Sequence, residues 1–198
     1  MTTASIEPSI RTAELREYQR QLRDISADLA DLTGTLDELQ LNWRPAPTRW
    51  SIAEGVVHLN AVAELLLPVL ERRAVDARKK GLLAEGPFRH SRLGNFFLKM
   101  MEPPPKLRIP GPKGLLPQPQ HYTREVIATF MRLQEEIIAA IDRADGLNLS
   151  AIMINSPFPR PLRLSIGQWY GFLAAHARRH LWQARNVRND PDFPALAS

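Results

Sequence analysis

SIAEGVVHLNAVAELLLPVL, residues 51–70, opens with a helix start signal and continues as a segment with two apolar rows. In Ser51-Ile52-Ala53-Glu54 the hydroxyl and the carboxylate can satisfy first-turn amides as a capping box. From there Ile52, Val56, Leu59, Ala63, Leu66 and Leu70 form one stripe at helical spacing. His58, Val62, Leu65 and Val69 form a second row about 110° round the wheel. A helix with two apolar rows packs against two neighbours, which predicts a bundle, and it turns His58 inward.

On the N-terminal side, Leu15, Tyr18, Leu22, Ile25, Leu29, Leu32 and Leu36 alternate steps of three and four, an amphipathic helix of a bundle seam. A loop with Trp43, Pro45 and Pro47 joins it to Ser51. On the C-terminal side, residues 81–120 break the pattern. Leu93, Phe96, Phe97, Met100 and Met101 predict a short extra helix, and seven prolines between Pro103 and Pro119 forbid one long helix. A stretch so rich in proline can be a disordered interaction linker. Leu107, Ile109, Leu115 and Leu116 favour instead an ordered crossover or lid packed across the bundle.

A third helix is expected from about Thr123 to Arg143, with Val126, Phe130, Leu133, Ile137 and Ile141 on its face and Asp145-Gly146 closing it. Leu147 to Leu164, with Pro157, Pro159 and Pro161, reads as a linker. Ser165-Ile166-Gly167-Gln168 is a second capping box, and the helix it opens ends before Asn189-Asp190-Pro191. The fold class is therefore all-α, a four-helix bundle with long connections, and 1–198 is expected to form a single domain.

There are no cysteines, so disulfides, thiolate metal sites and a thiol nucleophile of the protein's own are excluded. No segment reaches about 18 to 20 uninterrupted apolar residues and the N-terminus has no signal-peptide pattern, so a cytoplasmic protein without a membrane partner is expected. Lys plus Arg exceed Asp plus Glu by 26 to 21, a net +5. The densest clusters, Arg72-Arg73 with Arg78-Lys79-Lys80 and Arg178-Arg179, lack the aromatic interleaving of a base-stacking surface. They read as solvated helix faces, and no nucleic-acid partner is expected.

His176 and His180 stand four apart on the last helix, with Cβ atoms about 6 Å apart on one face. Ile166, Trp169, Leu173, Ala184 and Val187 share that face, so both imidazoles look toward the core. Each histidine alone reads equally as a hydrogen-bonded core residue. His58 on a second helix tips the balance, because three neutral imidazoles among apolar walls are hard to satisfy except around a cation. The segment between the pair is Ala177-Arg178-Arg179, so this is not the H-E-x-x-H protease motif with its built-in base. Glu54, one turn before His58, reads as part of the cap, with support of a ligand as the other option. Gln183 either orients His180 or ties two helices together, and Arg179 reads as solvated, with an anionic substrate as the other option. His90 and His121, in or beside the irregular excursion, are set aside.

Trp43-Arg44-Pro45-Ala46-Pro47-Thr48-Arg49-Trp50-Ser51-Ile52-Ala53-Glu54 followed by His58-Leu59, together with Ala175-His176-Ala177-Arg178-Arg179-His180-Leu181-Trp182-Gln183, resembles the DinB-like superfamily, which includes YfiT-like metal-dependent hydrolases. The likeness covers nearly the whole chain. It implies a four-helix bundle of long-crossover connectivity, a metal site of three histidines plus water and, frequently, a homodimer. It also strengthens His58 as the third ligand. Characterised relatives include thiol S-transferases and isomerases dependent on bacillithiol, mycothiol or glutathione. The expectation is a metal-dependent hydrolase or S-transferase acting on a small molecule, with zinc or nickel on His58, His176 and His180 and a low-molecular-weight thiol as the candidate cosubstrate. Its rival is a non-catalytic metal- or small-ligand-binding stress-response protein with a structural ion.

Overall fold

The structure, a computed structural model, describes residues 11–105, 113–158 and 162–195. Four long helices carry the core: α1 (Ala13–Thr33), α3 (Ile52–Lys79), α5 (Glu125–Arg143) and α6 (Ile166–Arg188). Two short ones, α2 (Glu38–Asn42) and α4 (Arg92–Met101), lie in the connections. The fold is all-α, built on four long helices, as the apolar spacing predicts.

Side-chain contacts fix the directions of the long helices. The start of α1 meets the end of α5, where Asp145 accepts hydrogen bonds from the Thr12 amide and hydroxyl. Arg178 donates to Gln21 near the middle of α1, and Arg188 to the Leu32 carbonyl near its end, so α1 and α6 are parallel. Asn60 reaches the Val126 carbonyl and Glu71 pairs with Arg143, so α3 and α5 are parallel too. Each parallel pair lies antiparallel to the other across the bundle. Parallel neighbours cannot be joined by a tight turn. The chain between α3 and α5, residues 80–124, therefore has to travel back along the bundle, and α4 rides on α6 during that return. A Cβ on Gly171 would stand 2.7 Å from Leu98 Cδ2, so α4 approaches α6 closely because α6 is bare there.

Both capping boxes form. Ser51 Oγ accepts from the Glu54 amide while the Glu54 carboxylate accepts from the Ser51 amide, and Ser165 and Gln168 repeat the arrangement. Arg44 clamps the Glu54 carboxylate from outside, its Nε at 2.8 Å. Glu54 is thus fully occupied by the cap and by Arg44.

Four details depart from the sequence reading. Leu36 lies beyond the end of α1 yet stays buried, followed by α2 with its own Asp37 cap. The linker 147–164 contains a hairpin, β1 (Met153–Asn155) antiparallel to β2 (Arg163–Ser165), which buries Ile154 and Leu164 under Trp169. Ser165 ends β2 and caps α6, so the hairpin sets where α6 begins. In the second row of α3, His58 and Val62 are buried and Val69 partly so, but Leu65 is exposed. Of the crossover's apolar residues, Leu115 packs partly on the core and Leu116 is exposed, whereas Leu107 and Ile109, like Pro159 and Pro161, lie outside the described residues. By length and composition α3 could cross a membrane, but most of its apolar window is buried in the bundle, which makes it the core helix.

Candidate metal centre

Helices α3 and α6 run antiparallel, and their contact brings His58 against His176 and His180. His176 Nε2 lies 3.3 Å from His58 Nε2 and 3.1 Å from His180 Nε2. Every ligand nitrogen in the trio is within 4.8 Å of the others, and all three residues are buried. Two nitrogens each about 2.05 Å from a tetrahedral ion stand roughly 3.3 Å apart, which is the spacing seen here.

The protons cannot be distributed well without a cation. His58 Nδ1 is 2.8 Å from the Leu115 carbonyl oxygen, which can only accept, so Nδ1 carries the proton and Nε2 presents a lone pair. His176 Nε2 then faces two ring nitrogens with a single in-plane position. One proton there cannot align with both neighbours, whereas a cation at their centre takes all three lone pairs. Meanwhile His176 Nδ1 and His180 Nδ1 are buried and have no hydrogen-bond partner among the described residues. Burial keeps all three rings neutral and so able to coordinate. It holds His58 below the usual imidazole range, with the Leu115 carbonyl opposing. Burial, then the charges of His58 and Arg179, push His176 down to about 3. His180 is driven well below its ordinary value by the same burial and by His176, His58 and Arg179, while the Gln183 amide opposes.

Aromatic rings fix the ligand planes. Phe172 stacks on His176 at 5.1 Å between centroids and 12° between planes. Trp50 stacks on His180 at 5.8 Å and 15°, and its tilted ring also touches His58 at 5.1 Å. The crossover meets the site at Leu115, whose carbonyl oxygen accepts from His58 Nδ1. Arg178 grips Glu102 at the end of α4, and Arg179 donates to the Met100 carbonyl at 3.3 Å.

All three sequence-predicted ligands come together, and the two histidines set aside stay apart. His90 lies between Ser165 Oγ and the Glu14 carboxylate, and His121 pairs with Glu38 at the surface. Arg179 corrects its solvated reading. It is 6 % exposed because α4 covers it, and burial lowers its pKa. Residues that the sequence reading missed are Phe172, Trp50 and Leu115. Phe172 precedes His176 by one helical turn and was detectable by spacing; the other two reach the site from loops.

With the site's geometry established, comparison with known proteins gives one match: the family model of the DinB superfamily covers residues 21–184. The chain belongs to the DinB superfamily. The matched span contains all three histidines, both capping boxes and the whole crossover. No curated protein and no solved structure matches the chain. Membership of the DinB superfamily and the histidine cluster are together compatible with metal binding.

Proposed function

We propose that this DinB-superfamily protein is a metal-dependent enzyme in which His58, His176 and His180 hold zinc or nickel, and water or a low-molecular-weight thiol attacks a small electrophile. The convergence of three Nε2 atoms that one cation satisfies and no proton pattern does carries this reading. A bound ion of this kind supplies Lewis acidity that deprotonates a coordinated water or thiol near neutral pH.

The protein's own groups position and shield. The Leu115 carbonyl holds the His58 proton on Nδ1 and leaves Nε2 to coordinate. Phe172 and Trp50 lock two ring planes and keep water from their faces. Among the described residues no carboxylate joins the three histidines, so coordination positions are left for nucleophile and substrate. The chain has no cysteine, so a thiol nucleophile arrives as a cosubstrate.

Two measurements test the reading. Elemental analysis of protein purified without chelators is expected to give one ion per chain in wild type and none in His58→Ala or His176→Ala. Equal metal content in all three refutes the shared site. Zinc- and nickel-loaded protein is then expected to conjugate bacillithiol, mycothiol or glutathione to monochlorobimane, an activity abolished by chelation. Unfolding on chelation, with no turnover by any thiol, assigns the ion a structural role instead.

A further inference from the structure

Helix α4 turns an unusual face to solvent. With about 100° per residue, Gly94 and Met101 mark its inner side, against α6. On the outer side Leu93 is 75 % exposed and Phe96 60 % exposed, with partly exposed Met100 between them. Arg92 and Lys99 lie next to that apolar sector, about 20° from one another round the wheel. Exposed Arg89 precedes the helix. No aspartate or glutamate occurs from Pro87 to Met101, and among the described residues none of these three cations is in an ion pair. An apolar sector flanked by uncompensated cations is the pattern of a helix lying in the plane of a lipid interface.

We propose that α4 docks the protein on an anionic phospholipid surface, with Leu93, Phe96 and Met100 entering the headgroup boundary and Arg89, Arg92 and Lys99 meeting lipid phosphates. Charge complementarity selects this occupant. A second copy docked through the same patch about a two-fold axis would set the cations against themselves. A protein partner would need a groove, because the apolar side chains stand out from a convex helix. A deformable surface needs none, and the chain's net charge of +5 adds long-range attraction to it. The sequence-based expectation of no membrane partner rests on the lack of a spanning segment, which does not bear on a helix that lies on the surface.

The test uses the full chain in vesicle flotation, with phosphatidylcholine alone and with phosphatidylcholine containing about a third phosphatidylglycerol. Binding is expected to the mixed vesicles alone and to weaken as salt is raised. The Leu93→Ser/Phe96→Ser variant is expected to lose at least about tenfold in binding. Arg92→Gln/Lys99→Gln is expected to bind more weakly and with a flatter salt dependence. Unchanged thermal melting shows that these exposed-site variants fold. No binding of wild type to the mixed vesicles overturns the proposal, as does equal binding by both variants. A wild-type dimer in sedimentation that Leu93→Ser/Phe96→Ser converts to monomer assigns the face to self-association and overturns it too. His176→Ala is expected to bind vesicles like wild type, so this proposal and the metal reading fail independently.

Discussion

His90, packed against the start of α6, and His176, carried by α6, are both largely shielded from water, yet their ring nitrogens meet opposite surroundings. Each nitrogen of His90 has one oxygen partner, Ser165 Oγ at 2.7 Å and Glu14 at 2.8 Å. His176 has no oxygen partner among the described residues: one of its nitrogens is bare and the other faces two imidazoles. The first histidine is a finished bracket that ties the crossover to α1 and to the start of α6. The second belongs to a set that the protein alone leaves unfinished. Burial of a histidine therefore says little about its role until both ring nitrogens have been accounted for.

Breaking each site separately sharpens the contrast. His176→Ala is expected to lower zinc affinity more than about 100-fold, since it removes a ligand outright and loss of a mere supporting group already costs 10- to 100-fold. His90→Ala should leave zinc affinity as in wild type, and competition with a fluorescent chelator measures both. Acid gives the next largest effect. In the metal-free protein burial keeps His58, His176 and His180 neutral, whereas the unfolded chain takes up protons below about pH 6.5. The unfolded state binds more protons between that pH and the lowered native values, so stability is full above about pH 6.5 and falls as the pH drops below it. The expected loss at pH 5.5 is roughly 1 kcal/mol from His176, with His58 and His180 acting in the same direction, read from urea midpoints with chelator present, and a flat profile between pH 7.5 and 5.5 contradicts it.

His90→Ala strips partners from Glu14 and Ser165 and should cost about 1–3 kcal/mol in a denaturant melt, with metal content unchanged. The smallest effect is expected where the crossover meets the ligands. Leu115→Gly loosens the turn whose carbonyl orients His58 and should weaken zinc binding about tenfold. An unchanged zinc affinity would show that His58 is positioned by the helix alone.

The sequence made legible whatever one helix carries by itself. His176 and His180 share a face through spacing, His58 lies in an apolar row, and both capping boxes are written in consecutive residues. Contacts between elements were not legible. Trp50 and Leu115 meet the histidines from loops whose paths no periodicity encodes. Arg179 looked solvated beside Arg178, since nothing local shows that α4 will lie over it. The hairpin at 153–165 escaped because its strands are three residues long and its loop is rich in proline, too short a run for alternation to register. The clearest lesson is Leu65, which matched the inward row in phase and still faces water, because a periodic row is buried only where a neighbour exists to cover it.

The two capping boxes also act as a vernier for the metal site. Ser51 fixes the height and rotation at which α3 begins, Ser165 does the same for α6, and the helices run in opposite senses. One residue inserted between Ser51 and His58 would turn the imidazole by about 100° and shift it by about 1.5 Å. The ligand geometry is thus locked to two short start signals, and the crossover between α3 and α5 meets it at Leu115, beside His58, and at His90, on the start of α6.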